Sequence, residues 1–326
     1  MEPRTGYPRQ TGLDLIRIAA ALSVFIYHAH DIGFGTLGPL SDHGNLGVPV
    51  FFALSGYLVY RPFLWRAVEP VSFILRRALR LAPAWLAAIV GVRLALPGDS
   101  PLLALVMWSL FVELTFYAVL PFVAGVARGR EMLVVGGLGL ASFVAGLAMP
   151  GMTVPIVAMP ALLPIFFWCF ALGMLLAVLE RDRPHWILGR LWLAAGFAAV
   201  VFGLLVADAY PAGYDDPASS LLVVLGTVAV MGGAIGWRRK WAWAAVGADA
   251  TYAFYLWHYP ILNALAGAMS PVAAAVAGLA IAAAISLATT HVLERPIRRW
   301  LDSRQQAGSR RAYATHGLRV MVPFAE

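Results

Sequence analysis

Residues 13–31 read LDLIRIAAALSVFIYHAHD, a run apolar enough to enter a bilayer that nevertheless carries Asp14, Arg17 and His28. An ionisable side chain at membrane depth costs roughly 2.5 to 3.5 kcal/mol on insertion scales, so such groups face a bundle interior and serve a task. Arg17 and His28 are close to three helical turns apart, which puts them on one face and about 16 Å apart along the axis. Asp14, one turn before Arg17, is placed to pair with it. The remainder of the chain reads as a container for this polar stripe.

Of the 326 residues, 61% are hydrophobic and only 13% charged, and the mean hydropathy is +0.77. That composition overrides the two soluble domains its length would suggest and predicts an all-α integral membrane protein. Apolar runs of helical length fall at 13–32, 46–65, 79–97, 101–126, 131–149, 154–179, 188–207, 218–236, 243–268 and 271–293, a bundle of about ten transmembrane helices. Two units follow: a membrane domain over 1–296 and a basic tail over 297–326. Arginines crowd alternate loops and the tail after Glu294, while the opposite loops, such as 33–45 and 208–217, hold no Lys or Arg. The positive-inside rule then places both termini in the cytoplasm and the protein in the cell's inner membrane. The net charge of +7 reads as topology and attraction to anionic lipid, and needs no nucleic-acid partner. Met1–Gln10 is polar, with no cleavage site after a short apolar core, so the first helix is expected to stay attached. Cys169 is the lone cysteine and fits as a small core residue.

Several residues stand out against this apolar background. Ser55–Gly56, with Tyr57 beside it, permits close approach of a second helix or of a thin ligand. Arg76, Arg77 and Arg80 cluster where the third span begins, and the guanidinium forks of Arg77 and Arg80, one turn apart, can share an anion. Glu113 sits deep in the fourth span between Trp108 and Tyr117, and must be neutral or paired, with Arg17, His28 or Arg80 as partners. His258 lies in the aromatic run Tyr255–Pro260, where packing and ligand contact are both open. Glu294 and Arg298 read as an i,i+4 surface pair, and Asp208, Asp215 and Asp216 as a solvated turn.

Taken in order, these motifs resemble those of the membrane-bound acyltransferase 3 family: Leu13-Asp14 with Arg17 and His28, Phe51-Phe52 with Ser55-Gly56, Arg77 and Arg80 before Pro83, Trp108-Ser109-Leu110 with Glu113 and Tyr117, and Tyr255-Leu256-Trp257-His258 with Pro260. The resemblance covers residues 13 to about 296. It implies a ten-helix domain that moves an acyl group, commonly acetyl, from a coenzyme A thioester to a hydroxyl of a carbohydrate or natural product, with no resident cofactor. The segment between Arg80 and Trp108 is shorter than the family pattern, and Thr251 stands where serine is usual. Some members pass the acyl group to a fused or partner esterase-like domain; the residues after Pro296 are too few for one, which leaves direct transfer or a separate partner.

On that basis Arg17, Arg77 and Arg80 are expected to bind the donor's phosphates. His28 is the expected general base, with Glu113 fixing its tautomer or pairing with an arginine. Ser55, Tyr57, Trp108, Tyr117 and His258 are the expected acceptor or oxyanion contacts. A covalent Ser55 lacks a base in its own motif. Two readings compete: a proton-coupled transporter using Arg17, His28 and Glu113 as a relay, and a non-catalytic relative that binds a lipid-linked glycan.

Overall fold

The computed structural model describes residues 9–65, 67–95, 102–148, 162–187, 189–209, 217–237, 239–301 and 303. Nearly all of them are helical. The helices are α1 (Thr11–Asp31), α2 (Pro39–Asp42), α3 (Gly47–Trp65), α4 (Pro70–Ala95), α5 (Leu102–Ala127), α6 (Glu131–Ala148), α7 (Leu163–Asp182), α8 (Arg190–Ala209), α9 (Pro217–Ala234), α10 (Ala242–Ala266) and α11 (Pro271–Thr289). Among the described residues, eight stretches are long and apolar enough to cross a membrane: Thr11–Asp31, Gly44–Trp65, Pro70–Ala95, Val106–Ala127, Glu131–Ala148, Leu163–Asp182, Arg190–Ala209 and Pro271–Leu301. The chain is an all-α, multi-pass integral membrane protein. In such a setting every backbone polar group must be satisfied within its own helix.

Large side chains on α6 and α8, such as Leu133, Leu140, Phe197 and Phe202, lie exposed along the outside, as lipid-facing residues do. The interior belongs to α1, α3, α7 and α10. Helix α10 is less apolar than its neighbours because Asp249, Thr251, Tyr252, Tyr255, His258 and Asn263 interrupt it. It packs against α1, α4, α5 and α11, so these polar groups are supplied to the bundle's centre.

Between helices in lipid, the driving force is close packing and not water exclusion. The contact of α3 with α7 shows how the sequence achieves it. A Cβ on Gly56 would collide with the Phe170 carbonyl, and one on Gly173 with the Ala53 carbonyl, so the two backbones touch reciprocally. Of the two roles open to Ser55–Gly56, Gly56 therefore serves the helix contact. Cys169 is fully buried in this seam as a free thiol, in keeping with the core role expected of it.

Two boundaries differ from those expected. Helix α4 begins at Pro70, nine residues before hydropathy alone would start it, so Arg76, Arg77 and Arg80 lie within the helix and not at its first turn. The cause is local. Pro70 occupies the first turn, where its missing N–H costs nothing. The Glu69 carboxylate accepts from the backbone N–H groups of Val71 (3.0 Å) and Ser72 (2.5 Å), and these bonds hold its pKa below the usual carboxylate range. Helix α7 is described from Leu163, and residues 154–161 of the expected span lie outside the described residues. Helix α11 continues to Leu301 through a π-helical turn, Thr290–Glu294, beyond the expected end at 293. The expected tail after Leu301 lies almost wholly outside the described residues, as does the turn holding Asp215 and Asp216.

Candidate active site

Six helices converge on one cavity of about 970 Å³, counting its open mouth. Helix α1 supplies Arg17, α3 Ser55 and α4 Arg77 and Arg80. Ser109, Glu113 and Tyr117 come from α5, where four-residue spacing sets all three on one face. Helix α10 adds Asp249, Thr251, Tyr252 and Tyr255, and the extension of α11 adds Glu294 and Arg298.

Glu113 is tied to hydroxyls and not to an arginine. Ser55 Oγ donates to Glu113 Oε1 at 2.7 Å, and Tyr117 Oη donates to the same oxygen. Both hydroxyl protons are thereby committed to the carboxylate, so in this arrangement neither points at an incoming carbonyl. Arg77 lies against the rings of Phe73 and Tyr117, its guanidinium 5.7 Å from each centroid, while the two rings themselves meet edge to face at 6.4 Å. Such cation–π contacts are worth about 0.5 to 2 kcal/mol each and hold the fork without neutralising it. Neither Arg17, Arg77 nor Arg80 forms an ion pair among the described residues. Asp14, expected beside Arg17, is instead bound by Arg9 at 2.7 and 3.1 Å. Three permanently charged forks thus face one space without a carboxylate partner, a ready site for an anion with several oxygens.

The opposite wall is apolar. Phe51, Phe52, Leu54 and Leu110 line it, and Phe52 stacks on Phe170 at 4.6 Å, which stacks on Phe116 at 4.0 Å. Trp108 stands behind Phe52 and against Phe166 (6.1 and 5.2 Å), so it backs the wall without lining the cavity. Tyr57 does not reach the cavity either: its hydroxyl donates to Glu180 at 2.9 Å beneath Arg61, which binds the same carboxylate at 3.0 Å.

His28 lies elsewhere, in the last turn of α1, and is not part of the cavity lining. Its ring packs on Tyr259 (4.5 Å) and His258 (5.3 Å), and Nδ1 is 3.3 Å from Asp31 Oδ2. His258 is only 1% exposed, and its Nδ1 donates to the helix carbonyls of Tyr255 (2.8 Å) and Phe254 (3.2 Å). Phe25 and Phe254 pack on His258, and the cavity-lining Phe51 packs against the same small apolar cluster.

At the other end the mouth is laced with charge. Arg9 bridges Asp14 and Asp249, and Asp249 also faces Arg295 (3.3 Å) and Arg298 (3.9 Å). Glu294 and Arg298 are paired at 2.7 Å, as their spacing indicated, yet Glu294 is buried in the cavity wall and not at the surface.

The structure thus brings together Arg17, Arg77, Arg80, Ser55, Glu113 and Tyr117, and sets His28 with His258 a short distance off. Sequence reasoning missed Asp31, Asp249 and Glu294 as neighbours of the site. A signal existed only for Asp31, three residues after His28 on the same helix.

The exopolysaccharide production protein ExoZ of Rhizobium meliloti (strain 1021) is 29% identical, over 78% of this chain and 90% of its own length. No solved structure matches. The family model described as an acyltransferase domain matches residues 10–291, from the foot of α1 to the π-helical turn that bears Glu294. By that match over most of its length, the chain belongs to the membrane-bound acyltransferase 3 family.

Proposed function

We propose that the protein is an O-acyltransferase that moves an acyl group, acetyl in the simplest case, from coenzyme A to a hydroxyl of a cell-envelope carbohydrate. The observation that carries the donor is the trio Arg17, Arg77 and Arg80, three guanidinium groups on one cavity with no acid bound to any of them among the described residues. With both termini cytoplasmic, as the loop arginines indicate, this cavity opens toward the compartment that holds soluble thioester. A carbohydrate acceptor is supported by the relative named for exopolysaccharide production.

In this reading the phosphates are held by the arginines while the thioester arm extends toward His28, about 16 Å along α1 from Arg17. The arm passes Phe51, whose side chain must turn aside. His28 Nε2 then takes the acceptor's hydroxyl proton as that oxygen attacks the thioester carbonyl. The carbon–sulfur bond breaks, the thiolate receives the proton from the imidazolium, and an ester and a free thiol result. Asp31 at Nδ1 favours the tautomer that leaves Nε2 unprotonated.

A second reading is favoured by the Ser55–Glu113 hydrogen bond, which supplies from another helix the base that the Ser55 motif lacks. There Ser55 Oγ attacks the thioester carbonyl while Glu113 takes its proton, the carbon–sulfur bond breaks and the thiolate leaves with that proton, and the acceptor hydroxyl then attacks the acyl-serine, giving the ester and restoring the Ser55 hydroxyl. Incubating purified protein with labelled acetyl-CoA and an envelope extract, followed by mass spectrometry of labelled products, tests the function. An acetylated glycan is expected; solute transport in liposomes with no thioester consumed would instead establish a transporter.

A further inference from the structure

Glu294 is the least expected group in an anion-binding cavity. It lines the same space as Arg77 and Arg80, is 2% exposed, and its Oε2 accepts from Arg298 at 2.7 Å. Its Oε1 is buried and has no hydrogen-bond partner among the described residues, a costly state for a carboxylate oxygen. The backbone is bent to place it there. Helix α11 widens into a π-helical turn over Thr290–Glu294, in which the Arg295 N–H reaches back five residues to the Thr290 carbonyl. One inserted residue turns everything after it by about 100°, and such turns recur at functional positions.

A half-paired carboxylate beside three arginines repels phosphate but attracts an N–H donor. Resting on the acyl-CoA reading above, we propose that Glu294 Oε1 binds the exocyclic amino group of the donor's adenine. Arg298 holds the other oxygen and fixes the carboxylate's direction, while Arg17, Arg77 and Arg80 hold the phosphates. The base lies one ribose away from both phosphate groups of coenzyme A, so recognition of base and phosphates in one cavity is geometrically consistent. Glu294 is then what separates an adenine nucleotide from other polyphosphates, which the arginines alone cannot do because they read only charge and oxygen geometry.

Full-length protein in lipid nanodiscs is titrated with coenzyme A and with its purine analogue, in which C6 bears hydrogen in place of the amino group. The expected result is a Kd ratio of roughly 10- to 100-fold in favour of coenzyme A, the span of one hydrogen bond to a charged group. In Glu294→Ala the ratio falls close to one, whatever the change in overall affinity, whereas a carboxylate that merely offsets Arg80 leaves it unmoved. Equal binding of the two ligands by the unsubstituted protein overturns this proposal alone and needs no variant to fold. Binding of neither ligand overturns the donor reading, and this one with it.

Discussion

Ser55 Oγ lies 2.7 Å from Glu113 Oε1, a hydrogen bond that joins α3 to α5 across the floor of the cavity. The bond separates two chemistries. If His28 is the base, Ser55→Ala removes one hydroxyl from a carboxylate still held by Tyr117, and turnover falls by about tenfold or less. If Ser55 is the nucleophile, the same variant loses about 1,000-fold or more, and intact-mass spectrometry of the unsubstituted protein shows an acetyl adduct on Ser55. We expect the first outcome, because a carboxylate oxygen that accepts from two hydroxyls is a weakened base toward either, whereas His28 Nε2 has no hydrogen-bond partner among the described residues.

Arg77 and Arg80 separate donor binding from chemistry. Each faces the cavity without an acid bound to it, so Arg80→Ala raises the KM for acetyl-CoA by roughly 10- to 100-fold with kcat little changed, as loss of uniform binding requires. Arg80→Lys recovers only part of this, because an ammonium cannot reproduce the two-pronged grip on phosphate. Arg77→Lys loses in addition the guanidinium's contacts with the Phe73 and Tyr117 rings. Initial rates over a range of acetyl-CoA concentrations decide both, and a KM unchanged in Arg80→Ala places the phosphates elsewhere.

The contact between His28 Nδ1 and Asp31 makes a complementary forecast. Asp31→Asn keeps size and position but offers an amide that can drive the imidazole into the other tautomer. We expect kcat to fall by about tenfold or more while the KM for acetyl-CoA stays within twofold of the unsubstituted value. Asp31 lies at the exposed end of α1, so the folded fraction by size-exclusion chromatography should not change. A fall confined to KM would instead mean that Asp31 meets a substrate.

Most of the bundle was readable because hydrophobic runs and caps are local: α5, α6, α8, α9 and α10 begin and end within a few residues of the expected limits. The start of α4 was not, since its first three turns carry Arg76, Arg77 and Arg80 and so depress the local hydropathy. The arginine trio followed from helical spacing and from the family motifs. The partner of Glu113 did not, because Ser55 is 58 positions away and helix-to-helix register has no local signature. Glu294 read as a surface pair with Arg298 for a similar reason: a π-helical turn leaves no mark in the pattern of side chains, yet it decides which face a residue presents.

Phe51 offers the sharpest test of how the two halves of the site communicate. It lines the arginine cavity and also packs against the cluster of Phe25 and Phe254 that adjoins His258 and, through it, His28. If the thioester must pass this point, a larger side chain blocks it and a smaller one opens it. Phe51→Trp should therefore cut kcat by about tenfold or more while the Kd for coenzyme A is retained, since the phosphates still meet the same forks. Phe51→Ala should leave donor binding intact and raise the slow hydrolysis of acetyl-CoA by water, which now reaches the carbonyl through the space the ring filled. The pairing of these effects matters more than either alone: a bulky wall that slows transfer and a missing wall that leaks water both follow only if the acyl group travels past residue 51. Unaltered kcat in Phe51→Trp would confine the chemistry to the arginine cavity and shift the role of base from His28 to the Ser55–Glu113 pair.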